Sequence, residues 1–252
     1  EGARVALGDV EPEAARRVAE ELGPAALALE LDVTRGDSFL AFLDEAEERL
    51  GPLDVLVNNA GIMPLGPFVE EDEATARRIV DVNLHGVILG TKLALARMVP
   101  RDRGAVVNLA SVAGVFGFAE GATYSATKHG VIGLTEAVRR ELRQAGSRVR
   151  VSYVLPGVVH TELGAGTSSV RLVPSVEPEQ VARAIVRTVA RERVDTWVPA
   201  RTKPLLRLQA VLPRRVVDLL VAALGADRSL AGIDPALRGA YHARATGRPP
   251  SP

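Results

Sequence analysis

Tyr124 and Lys128 lie four residues apart in Tyr124-Ser125-Ala126-Thr127-Lys128, a spacing that sets a phenol and an ammonium on one face of a helix. A neighbouring ammonium favours the phenolate, so the pair predicts a tyrosine whose pKa is lowered toward the range useful for general acid and base work. Ser111 stands upstream, at the end of the apolar run Ala105-Val106-Val107-Asn108-Leu109-Ala110, where a hydroxyl at a strand's carboxyl end could bond a substrate oxygen. Asn83 falls inside a helical stretch, in Asp81-Val82-Asn83-Leu84.

The elements that must position these groups alternate along the chain. Strands are expected at about 3–9, 26–31, 53–58, 105–110, 149–154 and 194–198, separated by helices that include 13–22, 70–99 and 124–145. Thr34 with Asp37 has the spacing of a capping box, and Gly51-Pro52 is a helix stop. Such alternation predicts a doubly wound parallel sheet with helices on both faces, a three-layer α/β/α arrangement. At 252 residues one core is sufficient, with 1–200 as the catalytic domain and 201–252 as a helical extension and tail.

Composition narrows the function classes. Lysine plus arginine equals aspartate plus glutamate at 31 each, and aromatic residues make up 4 %, so the chain offers neither the field nor the stacking platforms of a nucleic-acid binder. The sequence holds no cysteine, which excludes disulfides and thiolate chemistry and suits the cytoplasm. His85, His129, His160 and His242 are scattered without metal-ligand spacing, and no uninterrupted apolar run approaches the length of a membrane span.

Asn58-Asn59-Ala60-Gly61, Asn83, Ser111 and Tyr124 to Lys128, in this order and spacing, resemble the short-chain dehydrogenase/reductase family over residues 1 to about 200. The resemblance implies a Rossmann-like fold and hydride transfer between a nicotinamide and an alcohol or ketone. Tyr124 would exchange the proton, Lys128 would lower the tyrosine pKa and bond the nicotinamide ribose, Ser111 would bond the substrate oxygen, and Asn83 would hold a water on a proton path. For Asn83 the alternative is a plain structural bond to helix backbone.

The cofactor residues follow from the same resemblance. Asp9 ends the second strand of the resembled fold, where a carboxylate can bond adenosine ribose hydroxyls and repel a 2′-phosphate, favouring NAD over NADP. Its alternative is a turn or cap before Pro12. Asp32 and Val33 match the pair that faces adenine. Asn59, Ala60 and Gly61 leave room for the cofactor, and Pro156, Gly157, Val159 and Thr161 match the segment that holds the carboxamide. Members of the family usually open with a strand and a Thr-Gly-x-x-x-Gly-x-Gly turn; about one βα unit, on the order of 30 residues, is absent ahead of Glu1. The chain is therefore expected to be a truncated form, to leave two strand edges without partners, and to bind dinucleotide weakly.

Val112, Val115, Phe116 and Phe118 imply an apolar alcohol or ketone, and 162–176 has the composition of a lid. Small residues Ala126, Gly130, Gly133 and Ala137 permit close helix packing, within the subunit or in the homodimer or homotetramer usual for the family. Leu205 to Leu224 predicts two helices meeting at Pro213, with pocket closure, a subunit contact and peripheral membrane contact as readings, and 246–252 reads as a disordered tail. The alternative function is a non-catalytic relative that binds partners through its helical surfaces.

Overall fold

The computed structural model describes residues 2–164, 175–208, 212–223 and 235–246. The chain alternates strands and helices: β1 (Val5–Asp9), α1 (Pro12–Leu22), β2 (Ala26–Glu30), α2 (Gly36–Leu50), β3 (Val55–Asn58), α3 (Glu73–Val80), α4 (Gly86–Met98), β4 (Ala105–Leu109), α5 (Ala122–Gln144), β5 (Arg150–Pro156), α6 (Pro178–Ala190) and β6 (Asp195–Val198). Three further helices follow, α7 (Thr202–Leu208), α8 (Arg214–Ala223) and α9 (Pro235–Thr246). Every strand pair is parallel, as crossover helices require.

The strands form two sheets, β1-β2 and β3-β4-β5-β6, rather than one. β1 and β3 each pair on one side only among the described residues, and the interval is part of a cavity of about 2030 Å³. Val5, Val55 and Val57 line that cavity and are 36–40 % exposed. Strands buried on both faces carry near-continuous apolar runs, which is why these read as buried in the sequence. One core still runs under both sheets, where Leu31, Phe39, Phe42 and Leu43 meet Leu56, Met98 and Val106.

Local chemistry departs from expectation in three places. The predicted capping box is not formed: Arg35 precedes α2, Thr34 donates instead to Asp32, and Asp37 pairs with Arg35 at 2.6 Å. Asx bonding to the backbone just before the helix competes with capping inside it. The helix predicted over 70–99 starts at Glu73, because the Asp72 carboxylate accepts the Thr75 N–H at 3.0 Å, and it is interrupted by a π-helical turn at Asp81–His85. By length and composition the continuous helix Glu73–Arg101 could cross a membrane, yet its apolar residues Ile79, Val82, Val87, Ala94 and Met98 are buried inside this protein. Thirdly, the small residues of α5 divide. Gly130 lies against Leu84, 3.0 Å from where a Cβ would stand, whereas nothing approaches Gly133.

Beneath the site runs a buried polar chain. Asn58 and Asn108 are register partners on β3 and β4; Asn58 Nδ2 donates to Asn108 Oδ1 at 2.8 Å, and Asn108 Nδ2 donates to Thr135 Oγ1 at 2.9 Å. Gly90 lets α4 approach, since a Cβ there would sit 2.2 Å from Asn58 Oδ1 and 2.6 Å from Phe39. Gly90→Ala must therefore push apart the helix and strand. An unfolding loss of about 1–3 kcal/mol is expected in urea titration, and an unchanged midpoint would contradict this packing.

Candidate active site

Ser111 follows β4, Tyr124 and Lys128 ride on α5, Asn59–Gly61 follow β3, and Pro156–Gly157 close β5, so the strands' carboxyl ends converge on the same cavity. Asp9, Asp32, Val33, Val159 and Thr161 also line it. Asn83 reaches it indirectly: its Oδ1 lies 3.3 Å, and Lys128 Nζ 3.7 Å, from the position a Cβ on Gly61 would take. A side chain at 61 would intrude on both groups.

Tyr124 and Lys128 are 6 % and 4 % exposed, with Nζ 5.7 Å from the phenol ring centroid. The structure corrects the expected pKa direction. Burial pushes the Tyr124 phenol up to about 12, against a lowering hydrogen bond with the Ser111 side chain and with a raising contribution from the charge of Tyr241. Burial alone brings Lys128 down to about 8. Its ammonium donates to the Leu109 carbonyl at 2.8 Å, so the charge is directed at β4 and both members of the pair are desolvated. Ser111 Oγ accepts from the Ala113 N–H at 3.1 Å and donates to the Pro156 carbonyl at 3.5 Å, which fixes the hydroxyl between β4 and β5.

Asn83 is fully buried and sits in the π-helical turn. Its Oδ1 accepts the Ile62 N–H at 2.8 Å and its Nδ2 donates to the Ile62 carbonyl at 2.8 Å. Both readings of this residue are thus narrowed: the amide bonds backbone, but that of the loop after β3 rather than of its own helix. Thr127, unremarked in the sequence, takes a longer bond from the same Nδ2 at 3.4 Å.

On the cofactor side, Asp9 Oδ1 accepts the Glu11 N–H at 2.9 Å, so it does serve the turn before α1 while facing the cavity. Burial raises the Asp32 carboxyl but hydrogen bonds from Thr34 outweigh it, and the net shift is downward. Val33 packs under Gly86, 3.0 Å from its would-be Cβ. Asn59 and Ala60 are exposed toward the cavity, and the Gly157 N–H donates to the Val198 carbonyl at 2.8 Å. Val159 bridges to Val176, and the Thr161 N–H donates to the Val159 carbonyl. These residues fit the nicotinamide and ribose portions of a dinucleotide. The start of α1 does not fit a pyrophosphate, since Asp9, Glu11 and Glu13 surround that helix terminus with negative charge.

Sequence reasoning missed the wall beside the phenol. Met63, Ala113 and Tyr124 pack with Leu65, Phe118 and Leu163, and Tyr241 of α9 reaches in to accept the Met63 N–H at 2.7 Å. Asp234-Pro235 is a cap-and-first-turn signal that announces α9 in the sequence. Most of the expected lid, 165–174, and the expected tail, 247–252, lie outside the described residues.

The family described as short chain dehydrogenase matches residues 1–171. The cis-4-hydroxycyclohexanecarboxylate dehydrogenase of Sinomonas cyclohexanicum is 40 % identical over 73 % of this chain and 78 % of its own length. A 3-alpha-(or 20-beta)-hydroxysteroid dehydrogenase of Mycobacterium bovis is 40 % identical over 65 % of this chain, which spans 62 % of that relative. The inactive 2-(S)-hydroxypropyl-CoM dehydrogenase 2 of Xanthobacter autotrophicus is 39 % identical over 72 % of this chain and 79 % of its own. Among solved structures, a 3-ketoacyl-(acyl-carrier-protein) reductase of Brucella melitensis complexed with NADH superposes with a TM-score of 0.73 at 28 % identity, covering 78 % of this chain and 86 % of that one.

The buried lysine makes stability depend on pH. Its pKa falls from 10.5 unfolded to about 8 folded, so between these values the unfolded chain holds more protons and stability rises with pH. Tyr124, raised from 10.0 to about 12, acts in the opposite sense and only above about pH 10. Between about pH 8 and 10 the wild type is expected to gain unfolding free energy relative to Lys128→Met. Parallel pH profiles for the two proteins would refute a desolvated ammonium.

Proposed function

The chain belongs to the short-chain dehydrogenase family, and from that premise we propose that it is a nicotinamide-dependent oxidoreductase interconverting an apolar alcohol and its ketone. The carrying observation is the Tyr124 phenol, facing a largely apolar cavity together with the Ser111 hydroxyl, with Lys128 buried beside it. A carbonyl oxygen placed between the phenol and the Ser111 hydroxyl would accept from both. At neutral pH Tyr124 keeps its proton, the form that serves ketone reduction; alcohol oxidation needs that site empty or its proton passed on. The bound nicotinamide supplies or accepts the hydride.

Asn59, Ala60, Gly61, Pro156, Gly157, Val159 and Thr161 would hold the nicotinamide side, with Lys128 at its ribose and Asp9, Asp32 and Val33 at the adenosine side. The Asp9 carboxylate favours NAD over NADP by opposing a 2′-phosphate. Two relatives named as dehydrogenases of a hydroxycyclohexanecarboxylate and a hydroxysteroid support a cyclic substrate. Ala126, Gly133 and Ala137, exposed along α5, support a homo-oligomer through that helix.

A second reading, a non-catalytic partner-binding protein, is favoured by the relative named as inactive. Turnover separates the two. With NADH at millimolar concentration and cyclohexanone as substrate, Tyr124→Phe is expected to lower NADH oxidation by at least about 10²-fold. Equal rates for wild type and variant would remove the catalytic reading. Direct titration is expected to give weaker binding of NADPH than of NADH, because the Asp9 carboxylate opposes a 2′-phosphate; equal affinities would remove that preference.

A further inference from the structure

Tyr241 comes from α9, a helix that packs against α3 at the substrate end of the cavity. Its hydroxyl accepts the Met63 N–H at 2.7 Å. Met63, 8 % exposed, lies in the same apolar cluster as Tyr124, and the Phe118 and Tyr124 rings stand 6.2 Å apart and tilted by 59°. Tyr241 faces the cavity together with Ser111, Tyr124, Phe118 and Leu163. It is also near enough that its charge opposes ionisation of Tyr124.

These contacts give the pocket a wall drawn from three distant segments. The loop after β3 contributes Met63, the segment between β4 and α5 contributes Phe118, and α9 contributes Tyr241. The loop is itself held from both sides, by Asn83 at Ile62 and by Tyr241 at Met63. A phenol that both fills space and fixes the neighbouring backbone governs shape more than charge. We propose that Tyr241 is the residue that sets substrate size at this site: its ring is one wall of the substrate pocket, and its hydroxyl keeps the Met63 wall in register with Tyr124. This rests on the reading of the cavity as a ketone site, and adds that the Tyr241 ring limits the size of the ring system the site accepts.

The test is binding, so that it does not depend on hydride transfer. Cyclohexanone and 2-decalone are titrated onto wild type, Tyr241→Phe, Tyr241→Leu and Tyr241→Ala, with affinities read by ligand-observed NMR. Tyr241→Ala is expected to move the affinity ratio toward 2-decalone by at least about tenfold and Tyr241→Leu in the same direction, the scale that added methylenes carry in an apolar pocket. Tyr241→Phe keeps the ring and is expected to hold the ratio within about threefold, while amide exchange at Met63 quickens for want of its acceptor. A ratio unmoved in the folded Leu and Ala variants overturns the inference, as does failure of cyclohexanone to bind wild type. Tyr124→Phe should leave the ratio intact; if it also leaves NADH oxidation intact, the catalytic reading fails while the binding ratio still judges Tyr241.

Discussion

A buried ammonium governs the geometry of this molecule. Lys128 donates to the carbonyl of Leu109, the last residue of β4, and by doing so ties α5 to the strand two residues before Ser111. The same helix turn carries Tyr124, so one bond sets the distance between the two hydroxyl groups that meet in the cavity. Taking an ammonium out of water is costly, and the depressed pKa of about 8 records that cost. A methionine would pack the same volume without it.

The rest of the site is held by amides. Asn58, Asn108 and Thr135 link β3, β4 and α5 in one chain of buried hydrogen bonds, and Asn83 closes on the Ile62 backbone from the π-helical turn. Each of these side chains would be a liability if left unpaired in the interior. Paired, they tie the loop 59–63 to the helix at Asn83. The π-helical turn matters here because an extra residue in the helix rotates Asn83 out of the α-helical register and onto the loop.

Much of this was legible in the residues. β4 and β5 are covered on both faces, so their sequences are mostly apolar, and the helix bearing Tyr124 and Lys128 shows its buried face at 124, 128, 131 and 135. The resemblance placed the open edges between β1 and β3, and that is where the sheet divides. What was not legible depends on tertiary encounter. Thr34 bonds backward to Asp32 instead of forward into α2, a choice between two local bonds that spacing alone cannot decide. Tyr241 joins the site only because α9 docks beside α3, and nothing local to Tyr241 announces a partner at Met63.

The pKa of Tyr124 is the most instructive reversal. Spacing argued from Coulomb attraction within one helical turn, and Nζ does stand 5.7 Å from the phenol ring centroid, but burial dominates and it raises the phenol while lowering the amine. Lysine therefore gives up its proton before tyrosine does, and the resting pair is phenol with ammonium or phenol with amine, never phenolate alone. A buried phenolate becomes affordable only when further positive charge enters the cavity. An oxidised, cationic ring set against Gly61 and Lys128 would supply it, and a neutral reduced ring would not.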